Sequence, residues 1–254
     1  MISMLRMEFS RFFTNKMMYI LLVVFMAFQL FGTFMSAQFE TISPISGQNV
    51  VDTTQSEYMQ MILSQSPSWV VLYLGIFTVS FYMSEYNNGF YKNYISLENA
   101  RVHSVIAKLL VLGMFTLLMF VIMIITDFVG RAIFFENTDI GEALYFIKVF
   151  FGQFLLHWAF VAMVLSVTMI IRRMVASIVI AVILALNVIG MLLVALESLI
   201  HDGSITSYLL VNTITSPMNY NNTGDFLHVI IVAIVYFIIA TAIAIRFKQK
   251  EDLH

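Results

Sequence analysis

The chain is predicted to fold as an all-α integral membrane protein, and three observations carry that prediction. The first is composition. Of 254 residues 60% are hydrophobic and only 11% charged, with a mean hydropathy of +0.90, beyond what a soluble domain tolerates. The second is a set of six windows free of Asp, Glu, Lys and Arg: 17–39, 58–84, 109–126, 149–171, 174–196 and 226–245. Each reaches the roughly 18 residues that a helix needs to cross a hydrocarbon core of about 30 Å. The third is the placement of the 13 basic residues. With the N-terminus inside, Arg6, Arg11, Lys16, Lys92, Arg101, Lys108, Arg172, Arg173, Arg246, Lys248 and Lys250 are all cytoplasmic, and only Arg131 and Lys148 lie outside. Glu40, Asp52, Glu57, Asp127, Glu136, Asp139, Glu142, Asp202 and Asp225 fall on the outer side. A multi-pass protein of the cytoplasmic membrane, with both termini in the cytoplasm, is therefore expected.

The whole chain, 1–254, reads as one transmembrane domain. Residues 1–16 mix Leu5, Phe9, Phe12 and Phe13 with Arg6, Glu8, Arg11 and Lys16, which suits an amphipathic helix lying in the inner interface. The first span, 17–35, is of full length and is followed by no small-residue cleavage site, so it is expected to stay in the protein. A polar connection of about 30 residues then returns at Pro67 and is long enough to fold over the outer mouth. The second and third spans are placed at 67–84 and 108–126, the fourth at 149–171. Arg172 and Arg173 leave room only for a tight inner turn, so the fourth and fifth spans, the latter at 174–196, form an antiparallel hairpin. The outer segment 197–225 is too short in its apolar part to cross and reads as re-entrant or interfacial. The sixth span, 226–245, leads to a short charged tail at 246–254.

Catalytic chemistry has no foothold in the chain. It has no His-Glu-x-x-His, no Gly-x-Ser-x-Gly and no Gly-x-x-x-x-Gly-Lys-Ser/Thr loop, and its five histidines share no ligand spacing. No enzyme activity, metal site or nucleic-acid partner is expected. Zero cysteines exclude disulfides and thiolate ligands. Polar residues within the spans, Gln29, Thr33, Gln153, His157, Thr168 and Asn187, either join helices by hydrogen bonds, the preferred reading, or line a cargo path. Glu197, at the outer edge of span five, is within reach of water and is a weak candidate for proton coupling. The 18 Met and 24 Phe permit an apolar or amphipathic cargo without pointing to one.

The segment between spans two and three has an internal pattern that topology alone does not require. Glu85 is followed by Asn88 and Gly89, residues suited to a helix end. Phe90, Tyr91, Tyr94 and Ile95 then recur at helical spacing among Lys92, Asn93, Arg101 and Lys108. We read 85–103 as a short helix in the cytoplasmic interface, facing a soluble partner. The plainer alternative is a basic loop whose aromatics sit among headgroups.

This layout resembles the ABC-2 type transporter permease family. The resemblance rests on an N-terminal interfacial helix, six spans, and a loop between spans two and three reading Glu85, Gly89, Lys92-Asn93, Arg101 and Lys108. Phe90 stands where the family has Thr, and Glu98-Asn99-Ala100 replaces a Pro or Gly ahead of the Arg. Within the family the chain looks most like permeases of bacterial peptide exporters, of the lantibiotic-immunity and phenol-soluble-modulin type. The resemblance implies an exporter permease that pairs with a second permease, a copy or a paralogue, and with two soluble ATPase subunits. ATP and Mg would be bound by those subunits, and the segment from Glu85 to Arg101 would be the coupling helix, with Lys108 also at the ATPase-coupling interface. Two other readings stand beside it: a secondary transporter driven by an ion gradient, and a sensor or scaffold that transports nothing.

Overall fold

The computed structural model describes residues 2–39, 41–89, 100–200 and 205–250, without the side chain of Ile200. Among these residues it is helical, with one isolated bridge between Ile42 and Asn49 and no strand. α1 (Ile2–Phe13) buries Met4, Glu8 and Phe12, the i, i+4, i+8 face of the helix, and leaves Ile2 and Phe13 exposed. Asn15 ends it and caps the next helix by accepting from the Met17 amide at 2.9 Å. α2 (Lys16–Gln38) follows, and it buries only the narrow face Met18, Leu22, Phe25, Gln29 and Thr33.

Instead of leading straight back into the membrane, the polar connection forms a small cap. It contains a 3-10 turn (Val50–Asp52) and α3 (Gln55–Leu63), whose first turn is closed by a capping box between Thr54 and Glu57. α4 (Trp69–Asn87) starts two residues after Pro67, with the Ser68 hydroxyl accepting from Val71, and it ends at Asn88 and Gly89, where φ is +67°. Only Gly adopts that conformation without steric penalty. α5 (Ala100–Phe134) is much longer than the span expected at 108–126. Lys108, Asp127 and Arg131 lie within it, buried rather than flanking it in water.

α6 (Ala143–Ile171) is the centre of the bundle, with α10 (Thr223–Gln249) along one side and α4 and α5 along others. Arg172, left-handed at φ +55°, closes α6 and starts the tight turn into α7 (Met174–Ala185), which packs on α4. The span expected to run unbroken over 174–196 is broken. Asn187 takes φ +55°, and α8 (Val188–Ile200) leaves at 44° to α7. A short 3-10 turn (Ile205–Tyr208) and α9 (Leu210–Thr215) then precede α10, whose N-cap is Asn222.

Among the described residues four helices are long and apolar enough to cross a membrane, α2, α5, α6 and α10, or five if the bent α7–α8 pair counts as one. α4 is not among them, because Tyr73, Ser80, Tyr82, Ser84, Glu85 and Tyr86 dilute its hydropathy. It is nevertheless one of the most deeply packed helices. Phe77 and Phe81 of α4, Phe115 of α5 and Phe12 of α1 form one aromatic nest, with Phe77 and Phe115 stacked at 3.8 Å. That nest seats α1 against the bundle, since a buried Phe contributes about 1.5–3 kcal/mol.

Candidate functional site

Beside the aromatic nest, α1, α4 and α5 bring four charged side chains into a closed ring. Glu8 lies one turn from Phe12 on the buried face of α1, so seating Phe12 carries its carboxylate inward. Lys108 Nζ donates to Glu8 Oε1 at 2.5 Å and lies 2.8 Å from Glu85 Oε2. Arg11 completes the circuit, pairing with Glu8 Oε2 at 2.7 Å and with Glu85. Side-chain exposure is 0% for Glu8, 1% for Lys108, 3% for Glu85 and 20% for Arg11, so only the arginine reaches solvent.

The ring carries two positive and two negative charges and is neutral, a form in which buried ions are tolerated. Further hydrogen bonds hold its members: Lys108 donates to Ser104 Oγ at 2.8 Å, and Arg11 to the Phe81 carbonyl at 3.2 Å while lying over the Phe81 ring. Burial pushes the Glu8 carboxyl above the usual carboxylate range, against the pull of Lys108. Glu85 ends α4 and Lys108 lies early in α5, so both flanks of the chain segment 90–99 are fastened to α1.

The other expected residues of that segment divide. Asn88 donates to the Ser84 carbonyl at 2.6 Å, within its own helix end, and Arg101 donates to the Gln249 carbonyl at the end of α10 at 2.5 Å. Phe90, Tyr91, Lys92, Asn93, Tyr94 and Ile95 lie outside the described residues. Glu8 and Arg11 were not expected at this site. The signal available was Glu8 one turn before Phe12 on an otherwise apolar face.

Of the polar residues expected inside the spans, four make contacts between elements. Gln29 of α2 donates to Asp127 Oδ1 of α5 at 2.7 Å, and the Thr33 hydroxyl lies 3.0 Å from that of Tyr58 on α3. Gln153 donates to the Ile214 carbonyl at 3.3 Å, and Asn187 to Asn212 Oδ1 at 2.6 Å. The Thr168 hydroxyl bonds the Val164 carbonyl one turn back, and the His157 ring that of Gln153. Glu197 accepts from the Ile205 amide at 2.6 Å.

The far end of α5 holds a second buried polar group. Arg131, fully buried, donates to Gln55 Oε1 at 2.8 Å, to the Asp139 carbonyl at 3.3 Å and to the Thr53 carbonyl, so one guanidinium fastens the cap to α5. The sequence places Arg131 on the outer side; α5 continues past it, and the cap closes over it. Asp127 is likewise fully buried.

A family model described as ABC-2 family transporter protein matches residues 4–188. The chain belongs to that family. No curated protein matches it. As an ABC-2 family transporter protein it is the membrane subunit of an ABC transporter, a role distinct from that of the ATPase. All four members of the charged ring fall inside the matched stretch, as do the cap, Asp127, Arg131 and the Asn187 break. α9 and α10 lie beyond it.

Proposed function

We propose that the chain is the permease subunit of an ATP-driven exporter, moving an apolar or amphipathic cargo such as a peptide outward across the cytoplasmic membrane. It crosses six times, with α4 and the bent α7–α8 pair each counted as a span, and pairs with a second permease and with cytoplasmic ATPase subunits that bind ATP and Mg. The observation that carries this reading is the ring of Glu8, Arg11, Glu85 and Lys108. It fastens both flanks of the 90–99 segment to α1, so a push on that segment is delivered to α4 and α5 together instead of bending one helix end. The residues Phe90, Tyr91, Tyr94 and Ile95 supply the apolar handle that a soluble partner grips, a short lever acting on a bistable bundle.

The test is coexpression with an ATPase encoded by a neighbouring reading frame. The expected result is a complex that copurifies and hydrolyses ATP, with replacement of Phe90, Tyr91, Tyr94 and Ile95 by Ala lowering both. Unchanged binding and turnover would sink the coupling role.

One observation favours the ion-gradient reading. Asp127 lies wholly buried within α5, and its Oδ2 has no hydrogen-bond partner among the described residues. Transport by proteoliposomes that stops without ATP, yet persists when ion gradients are collapsed, selects the exporter.

A further inference from the structure

α6 carries a line of polar groups separate from the ring, whose outer member, Tyr145, bonds the cap. Tyr145, Gln153 and His157 recur at spacings of eight and four, which puts them on one face of the helix. His157 is the midpoint of Ala143–Ile171, so it lies about 22 Å along the helix from Glu142 at the rise of an α-helix. The cap-end mouth of this line is a cavity of about 400 Å³ lined in part by Thr54, Ser56, Glu57, Glu142, Tyr145 and Asn219.

From that cavity the polar groups continue inward. The Tyr145 hydroxyl donates to Gln60 Oε1 at 2.5 Å, and Gln60 Nε2 donates to the Met218 carbonyl at 2.6 Å. Tyr220 comes next, its ring 6.4 Å from that of Tyr145 and lying over Gly152, where a Cβ would come within 2.7 Å of Tyr220 Cε1. Its hydroxyl faces the Gln153 side chain. Gln153 uses its amide nitrogen on the Ile214 carbonyl, which leaves Oε1 as an acceptor.

His157 Nδ1 lies 2.7 Å from the Gln153 carbonyl, an atom that only accepts, so Nδ1 carries the hydrogen and Nε2 of the neutral ring is a bare acceptor. Tyr220 Oη, Gln153 Oε1 and His157 Nε2 are all buried, and beyond the interaction of Tyr220 with the Gln153 side chain none has a hydrogen-bond partner among the described residues. Two such atoms on one face of α6, with a third on Tyr220 beside it, are what a buried chain of water requires, because each water needs two to four polar partners. Phe120 packs edge-on to the imidazole at 5.2 Å and supplies no competing partner.

We infer that α6 carries a hydrated file, entered from the cap-end cavity, that delivers water to His157 at the centre of the bundle. Tyr220, Gln153 and His157 are its inner binding site, and its ligand is water hydrogen-bonded to two acceptors and a hydroxyl. The chain has no cysteine of its own, so single cysteines read its hydration without background.

The experiment places cysteine singly at Gln153, His157, Leu156 and Phe151 in protein held in lipid nanodiscs. It then follows block of the thiol by Ag⁺, a cation of nearly water size, counting unreacted thiols with maleimide after unfolding. Leu156 is fully buried among apolar groups and Phe151 is 49% exposed on the bundle surface, where lipid would cover it. Gln153→Cys and His157→Cys are expected to be blocked at least about tenfold faster than Leu156→Cys and Phe151→Cys, since Ag⁺ travels with water and not through hydrocarbon. Equal rates at all four positions overturn the file.

Because a cysteine could itself loosen the packing, the unsubstituted protein is labelled with ¹⁵N-histidine. Magnetisation transfer from water to the His157 ring, assigned by its loss in His157→Phe, is expected. Its absence overturns the proposal even where the thiols react.

Discussion

Removing Lys108 tests the charged ring most directly. Lys108→Met keeps the length of the side chain and takes away the charge, leaving Arg11 as the cation of the ring for Glu8 and Glu85, both essentially buried. Stranding a buried carboxylate in this way costs about 3–5 kcal/mol, whereas an exposed pair would cost 1 kcal/mol or less. Glu8→Gln combined with Lys108→Met restores neutrality around the surviving Glu85–Arg11 pair. The double variant is therefore expected to be more stable than the sum of the single effects predicts, by about 1–3 kcal/mol. The assay is equilibrium unfolding in mixed detergent micelles followed by tryptophan fluorescence. Trp158 donates to the carbonyl of Leu109 at 2.9 Å, next to the substituted position, and Trp69→Phe leaves it as the sole tryptophan. A loss below about 1 kcal/mol for Lys108→Met, or strict additivity in the cycle, would refute the claim that these four charges act as one buried unit.

Other expectations follow from the same geometry. Burial raises the Glu8 carboxyl above its ordinary value of 4.5, so seated α1 binds that proton more readily than released α1 does. The contribution of Glu8 to seating is therefore fullest below about pH 4.5 and declines as pH rises through the raised value. The difference in α1 hydrogen exchange between the parent chain and Glu8→Gln measures it. Arg131→Leu strands Gln55 Oε1 and takes one donor each from the Thr53 and Asp139 carbonyls, which keep Asn137 and the Gln55 amide, at a cost of about 1–3 kcal/mol, and limited proteolysis should then cut the cap at 41–66 before the bundle. In Gly113→Ala the new Cβ meets Trp158 Nε1 and Cε2 at 2.8 Å, so the indole must move off Leu109. A loss of about 1–3 kcal/mol with a shifted Trp158 emission is expected. Asn187→Leu forces a branched side chain into left-handed backbone and removes the bond to Asn212, costing about 2 kcal/mol in thermal unfolding, while Asn187→Gly costs less.

Much of the helical architecture can be read from apolar runs because nothing in them competes with burial. The ends of those runs mislead. Lys108 and Asp127 stop a charge-free window and Arg131 lies beyond it, yet α5 runs through all three, because their partners arrive from elsewhere in the chain. Glu8 lies 100 positions from Lys108, and Gln29 lies 98 from Asp127, distances at which periodicity carries no information. The Asn187 break is hidden for another reason: a single left-handed residue leaves hydropathy unchanged. Gly190 gives a trace of it, since a Cβ there would clash with the side-chain oxygens of Asn187 and Asn212. The cap was open to a closer reading, because Thr54 followed three residues later by Glu57 is the pattern of a capping box.

α5 explains why two polar clusters at opposite ends of the bundle belong to one device. Lys108 and Arg131 are 23 residues apart on an unbroken helix, about 35 Å of it, and each is fixed by buried charge-assisted hydrogen bonds. α2 reinforces the cap end: Gly130 lies so close to it that a Cβ would sit 3.1 Å from Thr33, and Gln29 and Thr33 bond Asp127 and Tyr58. A helix without a break, tied at both ends, transmits displacement as a tilt rather than absorbing it. The α7–α8 pair has the opposite construction, with a left-handed Asn187 and a 44° bend at its middle. Within the proposed exporter, force applied beside the charged ring therefore reaches the cap through α5, while the bend at Asn187 is where the bundle has room to change shape.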